Sequence, residues 1–319
     1  MQQLARLQRV ALLGLVSLAL AQADSLLVLN KDGSVAVVDP SAQKVLSTIK
    51  AGERPHEIVA AGANLAVISN YEGGRTLSVV DLKSQKELRR ADLSPSSRPH
   101  GLAYSNGRVY FTAEGSSNIG RYDPVANRVD WTLPTGQSGT HMILLSRDGA
   151  KIFTSNLGSG SVSIYEQSGA RWNPTHITVG PGAEGFDLSP DEKQIWAANA
   201  GDGTVSIIDV AARKVAATIE IGAQRSNRLK FTPDGKLVLV SDFGTGNLIL
   251  VDTASRKITK RVPIASSIAG IFISPDGSRA YVAATADNFV AVVDLRKLAV
   301  TARIRTGLGP DGMDWIRGH

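Results

Sequence analysis

The chain has 319 residues, of which 43% are hydrophobic and 20% are charged, and it contains no cysteine. A chain of this length can bury a large core, and its composition is too apolar for wholesale disorder. The lack of cysteine excludes disulfides, thiol catalysis, iron–sulfur clusters, cysteine zinc sites and covalent haem attachment through thioethers. Any metal would therefore have to be held by histidine, aspartate, glutamate or asparagine.

Residues 1–23 have the pattern of an export signal. Arg6 and Arg9 precede an apolar run from Val10 to Leu20, and Ala21-Gln22-Ala23 then supplies the small-residue pattern that signal peptidase recognises. The apolar run is too short to span a bilayer as a helix, which needs about 20 residues. A buried N-terminal helix is the alternative, but strand-like sequence follows the run at once.

We therefore predict cleavage after Ala23, with residues 24–319 as a single mature domain that is periplasmic or secreted. The removed segment carries two arginines and no acid, so its loss lowers the formal charge from +6 to +4. This small surplus on an exported protein gives no reason to expect a nucleic-acid partner. No membrane span is expected in the mature chain either.

The mature chain repeats one pattern of four short apolar strands. Two-residue turns typical of hairpins recur, such as Asn106-Gly107 and Asp234-Gly235, and the apolar residues alternate with period two instead of the helical 3.6. Equivalent loop positions follow one another at steps of 40 to 44 residues, namely Asn30, Asn70, Glu114, Asn156, Asn199, Asp242 and Thr285. A step of this length is typical of one propeller blade.

The two ends of the chain predict the number of blades. Six complete copies begin near His56, His100, His141, Glu184, Asn227 and Ala269. The mature N-terminus starts in the middle of a copy, and its missing first strand is found in the C-terminal segment from Asp311 to Ile316. We therefore predict an all-β fold, a seven-bladed β-propeller of four-stranded blades. The C-terminal strand closes the ring by joining the three N-terminal strands, which removes an open sheet edge.

The copy from Ser189 to Asp209 reads Ser-Pro-Asp, an apolar strand ending in Asn199, and Thr-Val-Ser-Ile-Ile-Asp. This pattern resembles the repeat of the YVTN-type seven-bladed propeller family, and the resemblance covers essentially the whole mature chain. It implies the propeller fold. The family includes binding proteins, assembly factors and domains of redox enzymes, so the resemblance implies no single chemistry.

One acidic position occurs in all seven copies and is therefore assigned to the blade itself. It ends each third strand, at Asp39, Asp81, Asp123, Glu166, Asp209, Asp252 and Asp294. A short carboxylate there can accept backbone N–H bonds from the following turn. We exclude these residues, and the aspartates of the Asp-Gly turns, as catalytic groups.

Polar positions that vary between copies are the candidates for function, because they lie in loops that open around one end of the channel. The loop before each innermost strand holds His56, His100, His141, Glu184, Asn227, Ala269 and Asp311. Arginines accompany them, and a guanidinium can bind carboxylate or phosphate through two bonds. The predicted ligand-binding residues are Arg54, His56, Arg75, Arg98, His100, Glu114, His141, Asn156, Glu184, Asn199, Asn227, Asp242 and Asp311.

The same residues allow a metal site. His56, His100 and His141 come from three successive blades and Glu184 from the next, and this set of donors suits a divalent transition metal such as zinc, copper, nickel or iron. Alternatively, the histidines bond only to backbone carbonyls or water around the channel. Both possibilities stay open at this stage.

Three kinds of function follow. The preferred prediction is a binding protein that holds a small anionic ligand, a metal ion or a segment of a partner protein at the channel mouth. The first alternative is a metal-assisted lactonase or lyase, in which Glu184, Asp242 or Asp311 acts with His100 or His141 as an acid–base pair. The second, suggested by the family resemblance, is a scaffold in the maturation of periplasmic redox proteins.

Overall fold

The computed structural model describes residues 24–318. The predicted signal peptide of residues 1–23 lies outside this range, so its cleavage stays a prediction. Apart from a short 3-10 turn at Glu114–Ser116, the regular structure of the described residues consists of strands. Within the same range, no helix has the length and apolar character needed to cross a membrane.

The strands form seven antiparallel sheets of four strands each, and each sheet is one blade. Blade 1 consists of β1 (Ser25–Asn30), β2 (Ser34–Asp39), β3 (Lys44–Lys50) and β28 (Pro310–Ile316). Blade 2 consists of β4 (Pro55–Ala60), β5 (Leu65–Asn70), β6 (Thr76–Asp81) and β7 (Lys86–Asp92). Blade 3 consists of β8 (Pro99–Ser105), β9 (Arg108–Ala113), β10 (Asn118–Asp123) and β11 (Arg128–Pro134).

The later blades follow the same order from the innermost to the outermost strand. Blade 4 consists of β12 (Thr140–Leu145), β13 (Lys151–Asn156), β14 (Ser161–Ser168) and β15 (Arg171–Thr178). Blade 5 consists of β16 (Ala183–Leu188), β17 (Gln194–Asn199), β18 (Thr204–Asp209) and β19 (Lys214–Glu220). Blade 6 consists of β20 (Ser226–Phe231), β21 (Leu237–Asp242), β22 (Asn247–Asp252) and β23 (Lys257–Pro263). Blade 7 consists of β24 (Ile271–Ile273), β25 (Arg279–Ala284), β26 (Phe289–Asp294) and β27 (Ala299–Ile304).

The ring closes as the sequence predicts. β28 pairs antiparallel with β1, with Ser25 opposite Ile316 and Leu26 opposite Trp315. The Trp315 indole N–H also donates to the Asp24 carboxylate at 3.0 Å. The two ends of the described chain therefore share one blade, and the sheet edge that β1 would otherwise expose is paired.

Burial along each blade follows its distance from the channel. Second and third strands such as β17 and β18 are buried along almost their whole length, because both faces of each sheet pack against neighbouring blades. The outermost strand β19 alternates between exposed and half-buried residues, as expected for an edge with one face toward solvent. The core is thus a ring of apolar layers between blades.

The recurring acid at the end of each third strand has the predicted structural role in six blades. Asp39, for example, accepts the backbone N–H groups of Ser41 and Ala42 at 2.8 and 2.9 Å. The exception is Glu166, whose longer side chain forms ion pairs with Lys151 and Arg213 instead. The equivalent bonds in the other blades are made by Asp81, Asp123, Asp209, Asp252 and Asp294.

The ring has two faces. The loops that precede the innermost strands, together with those that join second to third strands, open on one of them. We call it the histidine face, because His56, His100 and His141 stand at this end of their strands. The hairpins between first and second strands, such as the one containing Asp234 and Gly235, open on the other face, which we call the turn face.

Candidate functional site

A β-bulge sets the position of the predicted channel residues. In blade 2, Pro55 pairs with Asn70 and Ile58 with Ile68, so His56 and Glu57 together oppose one residue of the neighbouring strand. The innermost strands of blades 1, 3, 4, 5 and 6 have the same irregularity at the same place. A bulge redirects side chains out of the regular alternation, and here it brings two successive residues per blade to the channel.

The three histidines contact one another in a row. The ring centroids of His56 and His100 are 5.3 Å apart, and those of His100 and His141 are 3.8 Å apart in a stacked arrangement. His100 is 2% exposed and His141 is 4% exposed. His100 and His141 are therefore buried within the end of the channel instead of lining an open mouth.

Carboxylates from neighbouring blades surround His141. Its Nδ1 is 3.0 Å from Glu114 Oε2, and its Nε2 is 3.9 Å from Glu184 Oε1. The Asn227 side-chain amide donates to the same oxygen of Glu184. Four of the predicted residues, from blades 3 to 6, thus form one connected polar group.

Glu57 and Arg228 complete this group. Neither was among the predicted ligand-binding residues, although Arg228 directly follows the predicted Asn227 and is one of the arginines expected near the channel mouth. The Arg228 guanidinium bonds to the Glu57 carboxylate from the opposite side of the channel and lies 3.7 Å from Glu184 Oε1. Both side chains are nearly buried. A signal for them exists in the aligned repeats, since the equivalent position is otherwise occupied by Met142 or glycine, so a single acid and a single base stand out.

A second polar group joins blades 1 and 2. Asp311 Oδ2 lies 3.6 Å from His56 Nδ1 and 3.4 Å from the Lys31 ammonium. Lys31 was not predicted, although it directly follows the predicted loop position Asn30. Asp311 is buried, whereas the Lys31 side chain is 38% exposed. This group forms the rim of the channel on the side of His56.

Tyr71 was also missed by sequence reasoning, and it connects the rim to the buried histidines. Its hydroxyl donates to Glu114 at 2.9 Å, and its ring contacts those of His56 and His100 with centroids 4.6 and 4.9 Å away. The Arg98 guanidinium lies over the Tyr71 ring at 4.7 Å and forms an ion pair with Glu114 at 3.1 Å.

The remaining predicted residues divide between the surface and the blades. Arg54, Arg75 and Arg98 are exposed on the histidine face. Within residues 24–318, Arg54 and Arg75 make no ion pair, which leaves their guanidinium groups free for a ligand. The structure does not bring these two into the buried cluster.

The last three predicted residues bond within their own blades. The side-chain amides of Asn156 and Asn199 donate to hydroxyl groups of the next strand, including Ser163 and Ser206. Asp242 accepts backbone N–H groups from the loop that precedes β20 and a hydroxyl bond from Thr245. These residues hold the loops of the histidine face in place.

Burial controls the protonation of the histidines. Desolvation lowers the pKa of His56 from 6.5 to about 4, even though Asp311 acts in the opposite direction. Desolvation, together with the charges of His141 and Arg228, puts the pKa of His100 well below its ordinary value. Both imidazoles are therefore neutral at physiological pH, and each keeps one nitrogen that accepts a hydrogen bond.

The acids and the phenol of the cluster are shifted as well. Burial opposes ionisation of Glu114, but the bonds from His141 and Tyr71 outweigh it and lower the pKa of Glu114. Burial, reinforced by the Glu114 charge, raises the pKa of Tyr71 to about 12. Tyr71 is therefore a neutral hydrogen-bond donor to an ionised Glu114.

Three buried atoms in the cluster have no hydrogen-bond partner among the described residues. They are His100 Nδ1, His141 Nε2 and Asn227 Oδ1. Unpaired buried polar atoms are rare in folded proteins, since each costs about 1–3 kcal/mol, and they call for a partner. The amide oxygen of Asn227 is an acceptor, and the neutral imidazole of His100 has one acceptor nitrogen. The cluster can therefore receive hydrogen bonds from a ligand.

The predicted metal ligands do not form a coordination group. Across residues 24–318, no set of three or more histidine, aspartate or glutamate side chains has an arrangement suited to a metal ion. His56 is directed to Asp311, and His141 lies between Glu114 and Glu184. The geometry thus gives no support to a metal held by His56, His100, His141 and Glu184, and that site stays a prediction.

Comparison of the sequence with protein families gives one partial match. Residues 137–276, less than half of the chain, match the family described as the cytochrome D1 heme domain. This range includes His141, Glu184 and Asn227 of the channel cluster. Comparison with curated proteins gives no match.

Several solved structures share the fold. A hydrazine synthase from Kuenenia stuttgartiensis has a TM-score of 0.70 at 20% identity, covering 81% of this chain and 88% of that chain. A putative 6-phosphogluconolactonase from Bacteroides fragilis has a TM-score of 0.75 at 14% identity, covering 92% and 98%. The dihydro-heme d1 dehydrogenase NirN has a TM-score of 0.65 at 13% identity, covering 91% and 74%. These likenesses show that the chain shares the fold of these structures.

Proposed function

We propose that this protein is a binding propeller that holds a small hydroxylated organic anion at the histidine face of its channel. The observation that carries the proposal is the set of three unpaired buried atoms on His100, His141 and Asn227. They come from three different blades and meet at one end of the channel. Polar atoms that converge in this way are typical of a ligand site.

The chemistry of the ligand follows from what these atoms lack. The neutral imidazole of His100 and the amide oxygen of Asn227 can accept hydrogen bonds, which a bare phosphate or carboxylate cannot donate. The free guanidinium groups of Arg54 and Arg75 on the same face favour an anion. A molecule with several hydroxyl groups and one carboxylate or phosphate satisfies both demands.

Location and family name form part of the proposal. The pattern of residues 1–23 supports export, and the likeness to the cytochrome D1 heme domain and to NirN supports a periplasmic location. The match of Ser189–Asp209 to the YVTN-type repeat supports that family name.

The proposal is tested by calorimetric titration of the purified protein with gluconate as the probe. We expect binding of gluconate with a stoichiometry of one, and at least tenfold weaker binding of the uncharged polyol sorbitol. Asn227→Leu removes the acceptor oxygen and is expected to weaken gluconate binding about tenfold. Asn247→Leu, a half-buried asparagine outside the channel cluster, is the matched control. Equal binding of gluconate and sorbitol, or no effect of Asn227→Leu, contradicts the proposal.

The lactonase alternative is tested with the same protein. Gluconolactone and other lactones are added with and without zinc, and hydrolysis is followed by acid release. Lactone hydrolysis by the wild type that is lost in Glu184→Gln would support the enzyme and contradict the binding proposal.

A second candidate, a role in the maturation of redox proteins, is favoured by the match of residues 137–276 to the cytochrome D1 heme domain. His100 and His141 do not fit a haem iron, because they stack on each other with their free nitrogens buried. Such a role would therefore rest on contact with another protein. Titration with haem tests whether the histidines bind the iron. A shifted Soret band that disappears in His56→Ala would show that they do, and would contradict a role that rests on protein contact alone.

A further inference from the structure

The channel contains a cavity on the side away from the histidines. Its volume is about 490 Å³, within the range of small-molecule sites. Residues of all seven innermost strands line it, and the Glu57–Arg228 pair separates it from the histidine cluster. Pro190 and Pro233 of the first-to-second-strand turns are also part of its lining, so it opens on the turn face. We call it the lower cavity.

Much of the wall of the lower cavity is apolar. Phe272 stacks on Trp315 with ring centroids 5.9 Å apart and planes nearly parallel, which fixes the aromatic side chain in place. Other apolar residues of the lining are Val59, Ala103, Leu144 and Met313. A ligand with an apolar group can bury it here, and each buried methylene contributes about 0.8 kcal/mol.

The charges of the lower cavity do not balance. Arg228 is paired with Glu57, and Lys230 lies 3.6 Å from Asp187. Asp314 is the third acid of the lining, and it makes no ion pair with the described residues. Arg228 and Lys230 each face another carboxylate. The carboxylate of Asp314 is therefore left without an ion-pair partner among the described residues.

Asp314 retains capacity for a ligand. One of its oxygens accepts the Ala60 N–H at 2.7 Å and the other accepts the Trp315 N–H at 2.8 Å. An ionised carboxylate offers about four lone-pair sites, so these two bonds leave about two unused. Burial raises the pKa of Asp314, although the Ala60 and Trp315 N–H bonds and the charge of Lys230 act in the opposite direction.

We propose that the lower cavity is a second binding site, for a small organic cation with an apolar substituent whose ammonium group pairs with Asp314. The apolar walls take the substituent, and the unpaired carboxylate selects the charge. An anion is disfavoured because Arg228 and Lys230 already face carboxylates. This site is separate from the histidine cluster and does not depend on the function proposed for it.

The wild-type protein allows the charge to be tested without any substitution. Phenethylammonium, 2-phenylethanol and phenylacetate have nearly the same shape and carry a positive, no and a negative charge. In calorimetric titration we expect phenethylammonium to bind with a stoichiometry of one, and the other two to bind at least tenfold more weakly. Equal affinities, or a preference for phenylacetate, would overturn the proposal.

Two variants locate the site. Asp314→Asn can still accept the Ala60 N–H, and it should weaken phenethylammonium binding at least tenfold while leaving the response to gluconate unchanged. Asp234→Asn removes an exposed carboxylate on the turn face and serves as the matched control, with no expected effect. Ala103→Leu fills part of the cavity without changing charge, so it tests the location even if Asp314→Asn folds poorly. Unchanged binding of phenethylammonium by Ala103→Leu, or by a folded Asp314→Asn, would overturn the proposal.

Discussion

The imidazole rings of His100 and His141 stack with their centroids 3.8 Å apart and their planes inclined by 29°. Two positive charges at this distance in a buried place would repel each other strongly. The stack therefore holds at most one imidazolium, in agreement with the strongly lowered pKa of His100. Because at least one of the two imidazoles is neutral, the histidine end of the channel can accept hydrogen bonds as well as carry charge.

The buried pair of Glu57 and Arg228 is expected to behave as one unit in unfolding. Arg228→Met leaves the Glu57 carboxylate buried without its cation, which costs about 3–5 kcal/mol. Replacing both by methionine removes the unpaired charge, so the double variant should lose clearly less than the sum of the two single losses. Urea unfolding of the wild type, both single variants and the double variant measures this coupling.

An exposed pair gives the matched control for that cycle. Arg213 and Glu166 join neighbouring blades with side chains that are 47% and 29% exposed. Their coupling should be about 0–1 kcal/mol, because water screens the charges. If the losses at Glu57 and Arg228 are additive, so that their coupling energy is as small as that of the control pair, the central pair is not a unit.

The fold could be predicted from the sequence because the same pattern is written seven times. Turns such as Asp234-Gly235 and the acids such as Asp39 act locally, and their roles depend on neighbours within a few residues. The strand that completes blade 1 could be predicted because the N-terminal copy of the repeat lacks its first strand and the C-terminal segment has the matching pattern. Glu166 departs from the pattern because a glutamate side chain is one methylene longer than an aspartate.

The site was harder to predict, because its geometry depends on contacts between blades. The sequence places the histidines at one loop position. The bulge that directs them toward the channel, however, depends on how the strands pair. Glu57 lies one residue beyond the position that was compared between copies, and its partner Arg228 is 171 residues away. Tyr71 joins the cluster only because blades 2 and 3 meet at Glu114.

Ring closure predicts the effect of shortening the C-terminus. Deletion of residues 311–319 removes most of β28 and leaves β1 without its partner on the channel side. We expect this truncated protein to aggregate or to lose its cooperative thermal transition, because an exposed strand edge promotes association. Size-exclusion chromatography and circular dichroism on heating provide the measurement.

A shorter deletion is the control for that experiment. Residues 317–319 follow the end of β28, so removing only these should leave the melting temperature nearly unchanged. A protein that lacks residues 311–319 yet stays monomeric and melts at the wild-type temperature would show that ring closure does not stabilise the fold.

Glycines at equivalent positions of blades 5 and 7 allow neighbouring innermost segments to approach closely. A Cβ on Gly185 would lie 2.2 Å from the Asn227 carbonyl oxygen, and one on Gly270 would lie 2.0 Å from that of Asp311. Backbone atoms cannot move aside as a flexible side chain can. We therefore expect Gly270→Ala to lower the free energy of unfolding by about 1–3 kcal/mol or more. In Gly115→Ala the nearest atoms belong to the side chains of Ser97 and Arg98, so its loss should be clearly smaller, and equal losses in urea unfolding would contradict the steric argument.

His56 is expected to make the fold sensitive to acid. In the unfolded chain its imidazole titrates near 6.5, whereas burial lowers its pKa to about 4 in the folded protein. As the pH falls, the unfolded state therefore binds this proton first. Stability is lost between about pH 6.5 and pH 4, and this group accounts for at most about 3 kcal/mol of the loss.

His56→Gln removes that titration, so the variant should lose less stability than the wild type when the pH is lowered from 7 to 4.5. Other groups, including Glu114, also destabilise the fold in acid, so the comparison is between the two slopes and not the absolute stabilities. His176→Gln is the control, because that imidazole is exposed and its shift is set by desolvation alone. In urea unfolding we expect the wild type to lose about 2 kcal/mol more than His56→Gln between pH 7 and pH 4.5. Parallel pH dependences of the two proteins would mean that His56 is not held neutral by the channel.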